Sequence, residues 1–184
     1  MQNHLRLPLN FDAAGLRSDL AHITADQWLS HYEQDDYVGE WGVVALRSVG
    51  GRAENIRPFP GAQILFQDTE VLGKCPNLAR AIAAFQCPVA AARLLKLGPG
   101  GRILEHKDDF LAPEFGEVRL HVPVLTNPGV EFYLDNERVP LQAGETWYLN
   151  FSLPHRIDNL GPTDRVHLVI DCNVNDWLSS LLSA

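Results

Sequence analysis

The second half of the chain, residues 89–172, consists of short runs of alternating apolar and polar residues that are separated by turn residues. The runs are VAAARLLKL, RILEH, EVRLHVPVL, VEFYL, RVPL, TWYLNF, HRID and RVHLVIDC, and the turns between them include Asn127-Pro128-Gly129, Asp135-Asn136 and Gly144-Glu145. Period-two alternation is typical of strands, and strands recurring at such short intervals favour a sandwich, a jelly roll or a barrel. This half of the chain therefore predicts an antiparallel β fold.

Four other segments carry an N-cap residue followed by apolar residues at helical spacing. They are residues 12–22 after Asp12, residues 24–32 after Thr24 with Gln27 as its capping-box partner, residues 77–85 after Asn77, and residues 176–183 after Asn175. A β-branched and aromatic run at residues 41–48 predicts a further strand. Residues 52–75, with Pro58, Pro60 and Gly61, predict a long loop of the kind that often covers a site. The expected fold class is thus mainly β with flanking N-terminal helices.

The length and composition favour one intracellular domain. A chain of 184 residues can bury a sizeable core, and we expect a single domain, 1–184, with a helical and strand support region (1–88), a β core (89–174) and a C-terminal helix (175–184). No apolar run approaches the roughly 20 residues that a membrane span requires. The three cysteines are far apart and lack CxxC spacing, which predicts free thiols in a reducing cytosol. We therefore expect a cytoplasmic protein without a membrane partner.

The charge of the chain argues against a nucleic-acid partner. The formal net charge is −8 at pH 7, and no basic run is present. Proteins that bind nucleic acids draw much of their affinity from clustered Lys and Arg side chains. No nucleic-acid partner is therefore expected.

His106 and Asp108 lie two residues apart in a segment that predicts a strand, so period-two geometry points both side chains to the same face. An imidazole and a carboxylate can bind one metal ion there, and His155 is the best candidate for a third ligand. Two histidines and one carboxylate leave one face of an octahedron open, as in non-heme Fe(II) oxygenases. An isolated His-x-Asp pair also occurs by chance, and His155 taken alone is equally compatible with a surface imidazole.

Arg165 begins the run RVHLVIDC, in which Arg165, His167 and Val169 share one face of the predicted strand. A buried guanidinium that lacks an anion is costly. Either an acidic side chain of the protein or a small dicarboxylate should therefore meet Arg165, and these residues alone leave both alternatives open.

Four segments together resemble the aspartyl/asparaginyl β-hydroxylase-like family of Fe(II)- and 2-oxoglutarate-dependent dioxygenases, which includes bacterial free-proline hydroxylases. They are HKD at residues 106–108, RLHVPV at 119–124, GETWYLNFSLPH at 144–155 and RVHLVID at 165–171. The resemblance covers residues 92–172 and, more weakly, the N-terminal segments FDAAGLRSDL and GEWGVVALR. It implies a double-stranded β-helix, which is a cupin-like jelly roll with the iron inside its open end.

The resemblance also implies ligands for the metal and for the co-substrate. Carried over position by position, it makes His106, Asp108 and His155 the ligands of Fe(II). It makes Arg165 the partner of the distal carboxylate of 2-oxoglutarate, and His121 a residue that helps to hold this co-substrate.

Two further arginines match family residues that face the substrate. Arg119 resembles the arginine that meets the substrate carboxylate. Arg93 resembles an arginine that lines the substrate or co-substrate region, although its strand pattern equally allows a solvated charge. The implied reaction uses O₂ to hydroxylate a C–H bond of an amino acid or a peptidyl Asp-, Asn- or Pro-like substrate, and it releases succinate and CO₂. Trp41 and Trp147 are expected in the core.

The presence of Asp108 indicates which branch of this family the chain resembles. The vertebrate peptidyl hydroxylases of the family lack this carboxylate ligand, so Asp108 aligns the chain with the bacterial branch, and it leaves no coordination site for the halide of a halogenase. The proline hydroxylases continue beyond the β core, whereas this sequence stops after one short helix, so free and peptidyl substrates both stay open. Two rival functions are a cupin-like metal protein of another reaction class, in which Arg165 is salt-bridged, and a non-catalytic sensor of iron or a small carboxylate.

Overall fold

The computed structural model of the protein describes residues 2–58 and 65–183. The strands are β1 (His4–Asn10), β2 (Leu29–Ser30), β3 (Tyr37–Val38), β4 (Trp41–Val49), β5 (Phe66–Asp68), β6 (Val89–Leu97), β7 (Arg102–His106), β8 (Glu117–Leu125), β9 (Val130–Leu134), β10 (Glu137–Arg138), β11 (Glu145–Leu149), β12 (His155–Asn159) and β13 (Arg165–Asn173). The α-helices are α1 (Ala13–Asp19), α2 (Pro76–Ala83) and α3 (Asp176–Leu182). Each run that predicts a strand after residue 88 contains or overlaps one, so the predicted β array is confirmed.

The strands form two antiparallel sheets. The larger sheet has the order β1-β11-β8-β13-β6-β4-β2, with β5 paired to β4, and the smaller sheet has the order β10-β9-β12-β7-β3. From β6 onward the chain passes repeatedly from one sheet to the other: β6, β8, β11 and β13 lie in the larger sheet, and β7, β9, β10 and β12 lie in the smaller one. This alternation is the connectivity of a jelly roll, which confirms the expected fold class.

The larger sheet is buried on both faces. Its inner face packs against the smaller sheet through one apolar cluster, which includes Val43, Leu95 and Val169 from the larger sheet and Ile103, Phe132 and Ile157 from the smaller one. Its outer face packs against the helices through a second cluster, which includes Leu94, Leu120 and Leu168 from strands and Leu16, Leu78 and Leu182 from the three α-helices. Because residues of a strand alternate between faces, polar residues at the inner positions of β6, β8 and β13 point between the sheets.

The helix predicted at residues 24–32 is wrong. The capping box of Thr24 and Gln27 is present, but it closes only one 3₁₀ turn, Ala25–Gln27. The chain then forms β2, in which Leu29 pairs with Val43 of β4. Pairing with an available sheet edge therefore overrides the local helix signal.

The long loop predicted at residues 52–75 is partly wrong. Residues Phe66–Asp68 pair with β4 as strand β5, and a 3₁₀ turn follows at Leu72–Lys74. Pro60 and Gly61, on which the prediction partly rested, lie outside the described residues. The proposal that this segment covers a site stays a prediction.

The helix caps are predicted with mixed success. Asp12 and Asn175 cap α1 and α3 as expected, through hydrogen bonds from the backbone N–H groups of Ala14 and Leu178. Asn77, in contrast, is not the cap of α2, which begins at Pro76. Among the described residues, no helix has the length and apolar character that a membrane span requires.

Candidate functional site

Strands β7 and β12 are neighbours in the smaller sheet, and they bring two histidines together. His155, the first residue of β12, pairs directly with His106, the last residue of β7. The centroids of the two imidazole rings are 4.2 Å apart. Antiparallel pairing therefore brings His155 next to His106 although the two residues are far apart in sequence, as a shared metal ion requires.

Asp108 joins the two histidines from a loop. It lies two residues beyond the end of β7, so the expectation that it sits on the strand is wrong. Its backbone N–H donates to the carbonyl of Phe151 at 2.9 Å, which fixes the loop, and its Oδ1 lies 3.8 Å from Nε2 of His106. One ligand atom from each of His106, Asp108 and His155 lies within 4.8 Å of the other two. The structure therefore brings the three predicted metal-binding residues together.

Hydrogen bonds orient both imidazoles. Nδ1 of His106 lies 2.7 Å from the carbonyl of Leu104, and Nδ1 of His155 lies 3.1 Å from the carbonyl of Leu153. A carbonyl only accepts, so each Nδ1 donates its hydrogen and each Nε2 keeps a free lone pair. Burial lowers the pKa of His155 to about 4, so its imidazole is neutral at pH 7. Two imidazoles and a carboxylate form a donor set that suits Fe, Mn, Co or Zn.

Arg165 is a buried cation without an acidic partner in the part of the chain that the structure describes. Its side chain is 1% exposed, and its NH2 group donates to Nδ1 of His167 at 2.8 Å. Its Nε has no hydrogen-bond partner within the described ranges. Burial lowers its pKa to about 9, so it remains charged at pH 7. Because Arg165 lines the same cavity as the three candidate metal ligands, an anion bound in that cavity would satisfy it.

His121 lies beside Arg165 and adds a neutral donor–acceptor group to the cavity wall. Its Nδ1 is 3.2 Å from Nδ1 of His167, and its ring stacks on Phe151 with centroids 4.9 Å apart. Burial and the charge of Arg165 hold the pKa values of both histidines well below the usual range. Since Nδ1 of His167 accepts from Arg165, His121 must donate its own Nδ1 hydrogen, which leaves its Nε2 as an acceptor.

The two predicted substrate-binding arginines, Arg93 and Arg119, both line the cavity. Arg93 is 2% exposed, so the alternative of a solvated charge is wrong. The NH2 group of Arg93 donates to Asp171 at 2.8 Å. Arg119 donates to the same carboxylate through Nε at 2.6 Å and through NH2 at 3.2 Å, and it donates to Asp108 through NH1. Sequence reasoning missed Asp171, although period-two alternation from Arg165 along β13 places it on the same face.

An aromatic stack forms another part of the cavity wall, and sequence reasoning missed it as well. The ring of His31 lies between Trp41, with centroids 3.4 Å apart, and Tyr32, with centroids 4.3 Å apart. Trp41 is buried as predicted, but it also lines the cavity. His31 follows a strand of two residues and is part of no motif, so no sequence signal pointed to it.

Comparisons with known proteins identify the family of the chain. The sequence pattern of the Aspartyl/Asparaginyl beta-hydroxylase family matches residues 11–174. The chain is 28% identical over 185 aligned residues to an L-proline cis-4-hydroxylase of Rhizobium meliloti, and it spans 99% of its own length but 65% of that relative.

Two solved structures show the same fold. An oxidoreductase of the 2OG-Fe(II) oxygenase family from Burkholderia pseudomallei matches with a TM-score of 0.58 at 13% identity, over 95% of this chain and 88% of the other. A prolyl-4-hydroxylase of Pseudomonas putida matches with a TM-score of 0.56 at 12% identity, over 95% and 94% of the two chains. Since the family pattern covers most of the sequence, the chain belongs to the aspartyl/asparaginyl beta-hydroxylase family.

Proposed function

We propose that the protein is an Fe(II)- and 2-oxoglutarate-dependent oxygenase that hydroxylates a C–H bond of an amino acid or of a peptidyl residue and releases succinate and CO₂. One observation carries the proposal: a cluster of two imidazoles and a carboxylate shares a cavity with a buried guanidinium that has no acidic partner among the described residues. A metal ion held by the three ligands would bind the 2-oxo acid end of a 2-oxo dicarboxylate, and Arg165 would bind the carboxylate at its other end.

His106, Asp108 and His155 would hold the iron. Three protein ligands leave coordination positions open for a chelating co-substrate and for O₂, which a closed four-ligand structural site would not. When bound, iron and 2-oxoglutarate supply the oxidising chemistry that protein side chains lack. The protein residues would hold these groups in place.

Arg165 and His121 would hold 2-oxoglutarate. Arg165 offers a planar guanidinium that can donate two hydrogen bonds to one carboxylate. A bound dicarboxylate would therefore give its buried Nε the hydrogen-bond partner that it lacks. His121 lines the same cavity and would help to hold the co-substrate through contact of its ring, which stacks on Phe151, since 2-oxoglutarate has no hydrogen to donate to Nε2. The name of the Burkholderia pseudomallei structure described above, a 2OG-Fe(II) oxygenase, supports 2-oxoglutarate as the co-substrate.

The substrate would lie between the metal ligands and the aromatic stack of His31, Tyr32 and Trp41. Arg119 and Arg93 line this space, and the N–H groups that they do not use internally could orient a substrate carboxylate. A free amino acid is the substrate class that the R. meliloti relative supports, because that protein is an L-proline cis-4-hydroxylase.

The structure weighs against one rival function. A cupin-like metal protein of another reaction class would need Arg165 as a salt-bridged structural residue, and no acidic side chain lies within 4.0 Å of Arg165 in residues 2–58 and 65–183. A non-catalytic sensor would keep all of these residues, so only an activity measurement separates it from an enzyme.

The test is succinate release from purified protein supplied with Fe(II), 2-oxoglutarate and a panel of free amino acids and short peptides. The expected result is substrate-stimulated succinate formation together with a product heavier than its substrate by one oxygen atom. H106A should abolish both. Binding of 2-oxoglutarate without any succinate, even with iron and O₂ present, would instead support the sensor.

A further inference from the structure

Asp171 is the buried centre of an ion cluster that includes Asp108, one of the three candidate metal ligands. We call Arg93, Asp108, Arg119 and Asp171 the Asp171 cluster. Asp171 is fully buried, Arg93 is 2% exposed, and both arginines donate to the Asp171 carboxylate. Burial alone would raise the pKa of Asp171, but the charges and hydrogen bonds of Arg119 and Arg93 outweigh it and keep the pKa below its usual value. The carboxylate is therefore ionised at neutral pH.

The Asp171 cluster is electrically neutral, because its two guanidinium groups balance its two carboxylates. Arg119 donates directly to Asp108, so its positive charge lies next to a ligand that has to attract a divalent cation. In a buried setting, charges at such distances interact strongly. Without Asp171, two positive charges would face one carboxylate, and the cluster would repel a metal ion instead of tolerating it.

Asp171 also fixes the orientation of the Arg119 side chain. Its Nε and NH2 groups meet the two oxygens of Asp171 side by side, in the bidentate arrangement that fixes the plane of a guanidinium. Its NH1 group, held in that plane, contacts Oδ2 of Asp108. Oδ1 of Asp108 is the oxygen that lies near Nε2 of His106. Through Arg119, Asp171 thus helps to hold the Asp108 carboxylate with one oxygen toward Arg119 and the other toward His106.

We propose that Asp171 is a positioning residue of the metal site: it holds the Arg119 fork that orients Asp108, and it cancels the arginine charge that would otherwise oppose a divalent cation. The inference rests on the proposed function, since it needs His106, Asp108 and His155 to bind a metal. It also gives Arg93 and Arg119 an internal role that is separate from any contact with substrate.

The test compares Co(II) binding to the metal-free forms of the wild type, D171N, R93Q and the double variant D171N/R93Q. D171N should weaken Co(II) binding by about 10-fold or more, because Arg119, the hydrogen-bonded partner of the ligand Asp108, is no longer held in place. R93Q removes one cation and leaves the Arg119–Asp171 fork intact, so it should bind Co(II) as tightly as the wild type or more tightly. D171N/R93Q should recover a large part of the loss, because it removes the one positive charge that D171N leaves uncompensated.

Recovery of Co(II) affinity in D171N/R93Q would show that Asp171 acts through charge and through the position of Arg119. A second substitution would not repair an affinity lost through structural damage. The visible absorption of bound Co(II) gives a second readout, and it should change in D171N because the Asp108 carboxylate is no longer held in place. Folded D171N with wild-type Co(II) affinity would overturn the inference, and so would a double variant that binds no better than D171N. Should D171N not fold, a 10-fold loss of affinity in R93Q would overturn it.

If the proposed function is wrong, the Co(II)-binding results differ from those expected when only the role of Asp171 is wrong. In that case the wild type itself would not bind Co(II), or H106A would bind it as well as the wild type does. Failure of the inference alone leaves wild-type binding intact and sensitive to H106A but insensitive to D171N.

Discussion

His155 pairs directly with His106 across two antiparallel strands, so both imidazoles of the candidate metal site are held by sheet hydrogen bonding. Each ring is also oriented by a carbonyl two residues earlier in its own strand or loop. Such a site is preorganised, and the binding of a metal should need little rearrangement of the two histidines. Asp108, by contrast, lies in a loop and depends on its hydrogen bond to Phe151 and on Arg119.

The first prediction concerns metal binding. H155A and D108A should each weaken Fe(II) or Co(II) binding by more than about 100-fold, a larger loss than the 10–100-fold typical of residues that only support a ligand. Metal titration followed by calorimetry would measure the change. H22A is a matched control, since His22 is exposed on the surface and should leave the affinity unchanged. Wild-type affinity in both H155A and D108A would show that these residues do not bind the metal.

The second prediction concerns the co-substrate. R165Q removes a buried cation from the cavity and should weaken 2-oxoglutarate binding by about 10-fold to 100-fold, because a charge-assisted pair to a carboxylate contributes about 1.5–3 kcal/mol. Metal affinity should stay within a factor of about three, since Arg165 hydrogen-bonds only to His167 among the described residues. Fluorescence or calorimetric titration of metal-loaded protein would measure both constants.

R17Q provides the control for this second prediction, because Arg17 is an exposed arginine on α1, away from the cavity. It should bind both 2-oxoglutarate and metal as the wild type does. Equal loss of 2-oxoglutarate affinity in R17Q and R165Q would point to a general charge effect, and no loss in R165Q would remove Arg165 from the co-substrate site.

Much of the fold and the outline of the site could be predicted from the sequence. The strands after residue 88 are regular, and period two alone predicts which side chains share a face. That rule places Arg165 and His167 on the inner face of β13, where the structure has them. The grouping of His106, Asp108 and His155 followed from residue type and from resemblance, although Asp108 lies beyond its predicted strand. The division of the chain at residue 88 stays a prediction.

The features of the site and fold that could not be predicted depend on contacts between distant segments. The hydrophobic periodicity and the secondary-structure propensity of a sequence carry no information about such contacts. The contact between Arg119 and Asp171 joins β8 to β13, and its importance comes from burial that only the packed sheets create. His31 becomes part of the cavity because Trp41 and Tyr32 stack on it. The capping box at Thr24 is a correct local signal, but the edge of β4 stops the helix after one turn.

The third prediction concerns the helix cap that sequence reasoning assigned to Asn77. Asp19, at the end of α1, is fully buried and accepts hydrogen bonds from the backbone N–H groups of Asn77 at 2.7 Å and Leu78 at 2.8 Å, and from the side chain of Asn77. D19A leaves these donors unsatisfied and should lower the free energy of unfolding by about 3 kcal/mol. D26A, at an exposed aspartate, should change it by less than about 0.5 kcal/mol.

Urea unfolding of D19A and D26A would check this third prediction. The affinity of D19A for Co(II) should equal that of the wild type, because Asp19 packs against the helices on the outer face of the larger sheet. A change of less than 1 kcal/mol in D19A would mean that water satisfies the N-terminus of α2 equally well.

The fourth prediction concerns the dependence of stability on pH. Burial, the charge of Arg93 and the charge of Arg119 lower the pKa of His31 to about 3, with Asp108 acting in the opposite direction. The unfolded chain, in which His31 has a pKa of about 6.5, therefore binds one more proton than the folded chain between these two values. The contribution of His31 to stability is fully present above pH 6.5 and is lost as the pH falls toward 3. Its slope is about 1.4 kcal/mol per pH unit.

Replacing His31 removes this slope. H31F keeps a ring between Tyr32 and Trp41 but does not titrate, so its free energy of unfolding should fall less steeply between pH 6 and pH 4 than that of the wild type, by up to about 1.4 kcal/mol per pH unit. H31Q is the matched control: it packs worse and should be less stable at pH 7, yet it should show the same shallow slope as H31F. Urea titrations at several pH values would measure both quantities. Slopes equal to that of the wild type in both variants would show that His31 does not remain neutral in the folded protein.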